Sequence, residues 1–199
     1  IPRPLAPVTG LNVLTLIGSS KVANDLKKMH PKLNRLRAVL GLDAKKIEGL
    51  KKGICPIFEP GLEDIIKKNL KLNKLDFTSD LSKAVKAKSA VFIAVGTPEK
   101  DDGGADLKQV MQVVESIAPL IDENTVVVNK STVPIGTAKI IKKIIAETCK
   151  KNFHIASNPE FLREGCAVKD FLKPDRIIIG AETEHAKKVL QQLYNPIKS

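Results

Sequence analysis

The sequence predicts an α/β fold: a doubly wound, mostly parallel sheet with helices on both faces. Three observations predict it. Short β-branched runs alternate with amphipathic, lysine-rich stretches along the whole chain. Most of those runs are continuously apolar, as strands covered on both faces are. Right-handed crossovers between such strands then place helices on both sides of the sheet.

The elements follow in order. A first strand is expected at residues 13–17 (Val-Leu-Thr-Leu-Ile) and a helix at 21–36, interrupted by Pro31. A proline inside a helix costs ~3 kcal/mol or more. A weaker strand follows at 38–42, then helices at 44–51 and 61–70 and a short strand at 76–78. Residues 81–86 read as a helix, 90–95 (Ala-Val-Phe-Ile-Ala-Val) as a buried strand and 106–118 as a helix. Strands at 125–129, 154–157 and 176–179 alternate with helices at 137–149 and 182–194. Residues 1–9 read as a loose arm and 10–199 as one domain.

Composition narrows the function classes. The chain has 199 residues, 43% of them hydrophobic, and a net charge of +11 from 33 Lys plus Arg against 22 Asp plus Glu. The lysines are spread through helix-like segments, and one Tyr and no Trp leave little on which to stack bases. Solvated helix faces are therefore favoured over a nucleic-acid surface. No apolar run reaches the ~18 residues that a membrane span needs. The opening Ile1-Pro2-Arg3-Pro4-Leu5-Ala6-Pro7 lacks the build of a signal peptide. Three cysteines, Cys55, Cys149 and Cys166, show no metal or disulfide spacing, so a cytoplasmic location is expected.

In sheets of this kind ligands bind beyond the carboxyl ends of the strands. Four turns collect there: Gly18-Ser19-Ser20-Lys21-Val22-Ala23, Gly96-Thr97-Pro98, Lys130-Ser131-Thr132-Val133-Pro134-Ile135-Gly136 and Ser157-Asn158-Pro159-Glu160. Each alone is ordinary turn chemistry. The last continues as Phe161-Leu162-Arg163-Glu164-Gly165. Asn158 suits a helix N-cap and Pro159 the first helical position. Such a helix would put Glu160 and Glu164 four apart on one face, where they repel by a few tenths of a kcal/mol. A site that uses carboxylates would offset that repulsion; a dipole-friendly helix start is the plainer alternative.

Gly96-Thr97-Pro98, Lys130-Ser131-Thr132-Val133-Pro134 and residues 158–165 resemble the UDP-glucose/GDP-mannose dehydrogenase family, as do Glu59-Pro60-Gly61-Leu62 and Pro174-Asp175-Arg176. The resemblance covers about residues 43–197, and from Ala167 to Gly180 it is nearest to the branch that oxidises UDP-glucose. It implies a Rossmann-like fold and an enzyme that oxidises the C6 alcohol of a nucleotide sugar twice with NAD. By position, Val95, Gly96, Thr97 and Pro98 with Ser131 and Thr132 would line the NAD site. Thr132 would orient a catalytic water, and Glu160 would do acid/base work in thioester hydrolysis. Glu160, Phe161, Leu162, Arg163 and Glu164 would contact the nucleotide sugar, with Glu164 also near the nicotinamide.

Two departures qualify the resemblance. A dinucleotide fold opens with G-x-G-x-x-G and an acid about 20 residues on. Here Gly18 keeps the tight turn, but Ser20 replaces the glycine that admits the pyrophosphate, and Gly41 stands where the ribose acid belongs. Lys21 could meet a phosphate beside Val22. The spacing from Gly18 to Asp43 is nonetheless intact, so either tight NAD binding is lost or identities have changed over an unaltered backbone. The chain also stops before the central helix and second domain with which the family continues, where its cysteine nucleophile and dimer contact lie. A fragment inactive by itself is expected. The alternatives are a non-catalytic nucleotide-binding module and a dehydrogenase for GDP-mannose or a UDP-N-acetylhexosamine.

Overall fold

A computed structural model describes residues 14–18, 36–39, 44–195 and 197. Seven strands form one sheet in the order β3-β2-β1-β4-β5-β6-β7. They are β1 (Leu14–Gly18), β2 (Leu36–Val39), β3 (Leu75–Thr78), β4 (Ala90–Ala94), β5 (Thr125–Asn129), β6 (Phe153–Ser157) and β7 (Gly180–Ala181). The first six run parallel, and β7 lies antiparallel on the edge, pairing Ala156 with Ala181 and Ser157 with Gly180. Helices α1 (Ala44–Lys51), α2 (Leu62–Lys71), α3 (Leu81–Val85), α4 (Lys108–Ile117), α5 (Thr137–Thr148), α6 (Ala167–Leu172) and α7 (Glu184–Tyr194) connect them. The order reverses between β1 and β4, which is the switch point where such sheets bind dinucleotides.

The buried strands read as they do because both faces are covered. Alternate residues of a strand point to opposite faces. Val126 and Val128 join a core with Phe77, Phe92, Ile47 and Leu50 of α1, Ile66 of α2, Phe171 of α6 and Leu190 and Leu193 of α7. Val127 joins the opposite core with Val91, Ile93 and Ile155, Val110 and Val114 of α4, and Ile141 and Ile145 of α5. At the amino edge His154 stacks on His185, ring centroids 4.5 Å apart, and burial together with the His185 charge pushes the His154 pKa down.

Two expectations change. The strand expected at 176–179 is irregular chain; Ile177 and Ile179 pack on the core without a ladder, and the pairing is confined to Gly180–Ala181. Residues 158–163 form no helix, and a turn at 164–166 leads into α6. Glu160 and Glu164 therefore share no helical face. The physical reason is the Asn158 side chain. Its Nδ2 donates to the Ile178 carbonyl at 2.9 Å and its Oδ1 accepts the Tyr194 hydroxyl, so it caps nothing. The expected helix at 21–36 lies outside the described residues except at Leu36, which begins β2. No helix among the described residues is long and apolar enough to cross a membrane.

Candidate functional site

Because β1 to β6 are parallel, their carboxyl ends share one edge, and the turns after β4, β5 and β6 meet there. Gly18 closes β1 beside Ala94 of β4. The turns after β4 and β5 are laced by side chains. The Ser131 hydroxyl donates to the Val95 carbonyl at 2.7 Å, and the Thr97 hydroxyl donates to the Thr132 carbonyl at 2.8 Å. The Lys130 and Ser131 amides both donate to the Ile93 carbonyl. Val95, Gly96, Thr97, Pro98, Ser131 and Thr132 are thus brought together, with Gly96, Pro98 and Thr132 exposed. Ser20, Lys21 and Val22 lie outside the described residues.

Asn129 ties this turn to the next. Its Nδ2 donates to the Ser131 carbonyl at 3.0 Å, and its backbone carbonyl accepts the Asn158 amide at 2.9 Å. Its Oδ1 is buried without a hydrogen-bond partner. An unmet buried acceptor costs about 1–3 kcal/mol. Gly96, Thr97, Ser131 and Thr132 are small and neutral, and a Cβ added at Gly96 would meet only the Gln109 side chain, at 4.0 Å. This half of the edge fits the cofactor; the residues after Gly18, up to position 35, lie outside the described residues.

The 158–165 segment forms a wall between two hollows. A cavity of about 550 Å³ has Glu160, Phe161, Leu162 and Arg163 on one side and Lys130, Lys169, Lys173, Arg176 and Tyr194 among its other lining residues. A cleft of about 320 Å³ lies between Ile57, Phe58 and Glu59 and the residues Glu160, Leu162, Arg163, Glu164 and Gly165. Glu160 is half-buried and lines both; Glu164 is exposed and lines only the cleft. Phe161 is exposed beneath Arg176, whose guanidinium carbon lies 6.0 Å from the ring centre. Leu162 packs against the core.

Arg163 grips Asp170 with two bonds, Nε to Oδ2 at 3.0 Å and a terminal nitrogen to Oδ1 at 2.8 Å. Those side-chain bonds and the Arg163 amide hold the Asp170 carboxyl at a pKa of about 2. A carboxyl depressed in the fold adds stability that is present above its unfolded value of about 4 and lost as pH falls towards 2. The melting-temperature gap between the wild-type chain and Asp170→Asn is therefore expected to be constant from pH 7 to 5 and to close between pH 4 and 2. A gap that stays open to pH 2 would contradict the assignment.

Reasoning along the sequence missed the structural use of Glu59. It is buried, and it accepts the Gly165 amide at 2.8 Å and the Val168 amide at 3.2 Å. The only signal was its place in the Glu59-Pro60-Gly61-Leu62 motif. Cys166 is exposed at the start of α6, and Cys55, Cys149 and Cys166 are all free thiols.

Known proteins share this fold. The model of the UDP-glucose/GDP-mannose dehydrogenase family, NAD binding domain, matches residues 33–198. The chain is 44% identical over 161 residues to a UDP-glucose 6-dehydrogenase of Bacillus subtilis, covering 80% of this chain and 37% of that protein. It superposes on a UDP-glucose dehydrogenase from Pyrobaculum islandicum with a TM-score of 0.87 and 35% identity, covering 98% of this chain and 46% of that one. For GDP-mannose dehydrogenase from Pseudomonas aeruginosa, solved as a ternary complex, the TM-score is 0.83 and the identity 31%, over 92% of this chain and 44% of that one. The chain spans less than half the length of these relatives. It belongs to the UDP-glucose/GDP-mannose dehydrogenase family and carries that family's NAD-binding domain.

Proposed function

We propose that residues 10–199 are the cofactor-binding half of a UDP-glucose 6-dehydrogenase, which converts UDP-glucose to UDP-glucuronate with two NAD+. The observation that carries this reading is the wall formed by residues 158–165. It starts at the edge that fits the cofactor and lines a cavity rich in cations, among them the buried Lys130 and the exposed Lys169, Lys173 and Arg176. Such a cavity suits a ligand with a diphosphate.

When bound, the cofactor supplies the hydride acceptor. The chain's own residues do the rest of the work on this side. Val95, Gly96, Thr97, Pro98, Ser131 and Thr132 would hold NAD on this side, together with Gly18, Ser20, Lys21 and Val22. The Thr132 hydroxyl, which can donate and accept at once, holds a water. The Glu160 carboxylate takes a proton from that water in the hydrolytic step. Phe161, Leu162, Arg163 and Glu164 shape the sugar pocket, with Glu164 at the rim nearest the cofactor. The free thiols suit a cytoplasmic setting, and a homodimer is expected of the full-length enzyme.

The full-length enzyme is expected to form two NADH per UDP-glucose and the 199-residue chain none. One NADH per sugar, or faster turnover of GDP-mannose, would contradict the reading.

A further inference from the structure

We propose that Glu59 is a positioning residue of this site, holding the segment that carries Glu160 and Glu164 from across the cleft. The proposal rests on the NAD-site reading above. Its starting point is α6. The first amides of a helix need acceptors, and Cys166 at the N-cap provides no side-chain bond. Glu59 supplies one of them from 109 residues away, its Oε1 accepting the Val168 amide, and its Oε2 accepts the amide of Gly165, the residue just before the N-cap. Both bonds go to a carboxylate, and Glu59 is 7% exposed.

Glu59 is itself fixed. Its carbonyl accepts the Leu62 amide at 3.0 Å, in a turn closed by Gly61 at φ +76°. Gly165, at φ +77°, is the residue where the wall turns into α6. The wall is therefore pinned at both ends. Asn158 holds the near end against β5, and Glu59 holds the far end against the 57–61 loop. Between the pins lie Glu160 and Glu164, both on the cleft that Glu59 also lines. A serine or aspartate at position 166 would cap α6 locally. A buried acid placed beside two further carboxylates does something a local cap cannot: it sets the distance between the wall and the loop opposite.

The test separates positioning from capping. Glu59→Gln replaces one acceptor by a donor that faces a backbone amide. It is expected to speed hydrogen exchange at Gly165 and Val168 by about tenfold or more and to weaken NAD+ binding by roughly fivefold or more. Adding Cys166→Asp gives α6 a cap of its own. The double variant is expected to regain the wild-type melting temperature while its NAD+ affinity stays low, with Cys166→Asp alone binding like the wild type. Recovery of affinity together with melting temperature would reduce Glu59 to a cap and overturn the proposal. Unchanged exchange at Gly165 in Glu59→Gln would overturn it too. Should Glu59→Gln alone not fold, the double variant compared with Cys166→Asp carries the same comparison. A wild-type chain that binds no NAD+ refutes the NAD-site reading, and the exchange data then judge the clamp by themselves.

Discussion

Glu160→Gln in the full-length enzyme is expected to lower steady-state turnover by about 10²- to 10⁴-fold, the range for loss of a general base. Glutamine keeps the size and the hydrogen-bonding reach of the side chain but cannot take a proton. The loss should fall unevenly. Hydride transfer needs the substrate held in place, which the wall still does. Hydrolysis needs the water deprotonated, which it no longer does. Rapid mixing should therefore show NADH formed at near wild-type rate in the first turnover, followed by a slow steady state. An equal loss in both phases would mean that Glu160 positions substrate and does no proton transfer. Glu160 is half-buried and lines both hollows.

Asn158→Ala is the second large effect, this time on stability. The residue is 2% exposed and serves three elements at once. Its amide nitrogen fixes the Ile178 carbonyl, its Oδ1 takes the Tyr194 hydroxyl, and its backbone amide reaches Asn129. The alanine variant keeps the last bond and removes the other two in a buried place. Leaving one such group unmet costs about 1–3 kcal/mol. Urea denaturation is expected to show a loss of about 2–4 kcal/mol for the pair. Tyr194→Phe removes one bond and should lose roughly 1 kcal/mol. Equal losses in the two variants would show that the Ile178 bond contributes nothing.

Much of this architecture is written locally. The strands at residues 90–94 and 125–129 are legible because a parallel strand buried on both faces has no polar alternation to obscure it. That the small and polar turns following them meet at one edge was equally legible. The wall was not. Asn158 and Pro159 carry the local signals of a helix start, and those signals lose to partners 20 and 36 residues away. The cap of α6 was hidden for the same reason, since its acceptor lies more than 100 residues upstream. The strand expected at 176–179 has the β-branched residues of a strand, but only Gly180 and Ala181 come into register with β6. Long-range hydrogen bonds, unlike hydrophobic periodicity, leave no trace in a window of sequence.

The sequence that follows β1 is the point on which NAD binding bears. Ser20 stands in place of a glycine and Gly41 in place of an acid, yet Gly18 closes β1 beside Ala94 as a dinucleotide edge requires. Titration of the chain with NAD+ in a calorimeter tests it most directly. Sub-millimolar binding, weakened by Ser131→Ala, is the result expected of a working cofactor edge. Heat no greater than dilution, with the folded chain at full occupancy of the cell, would contradict it.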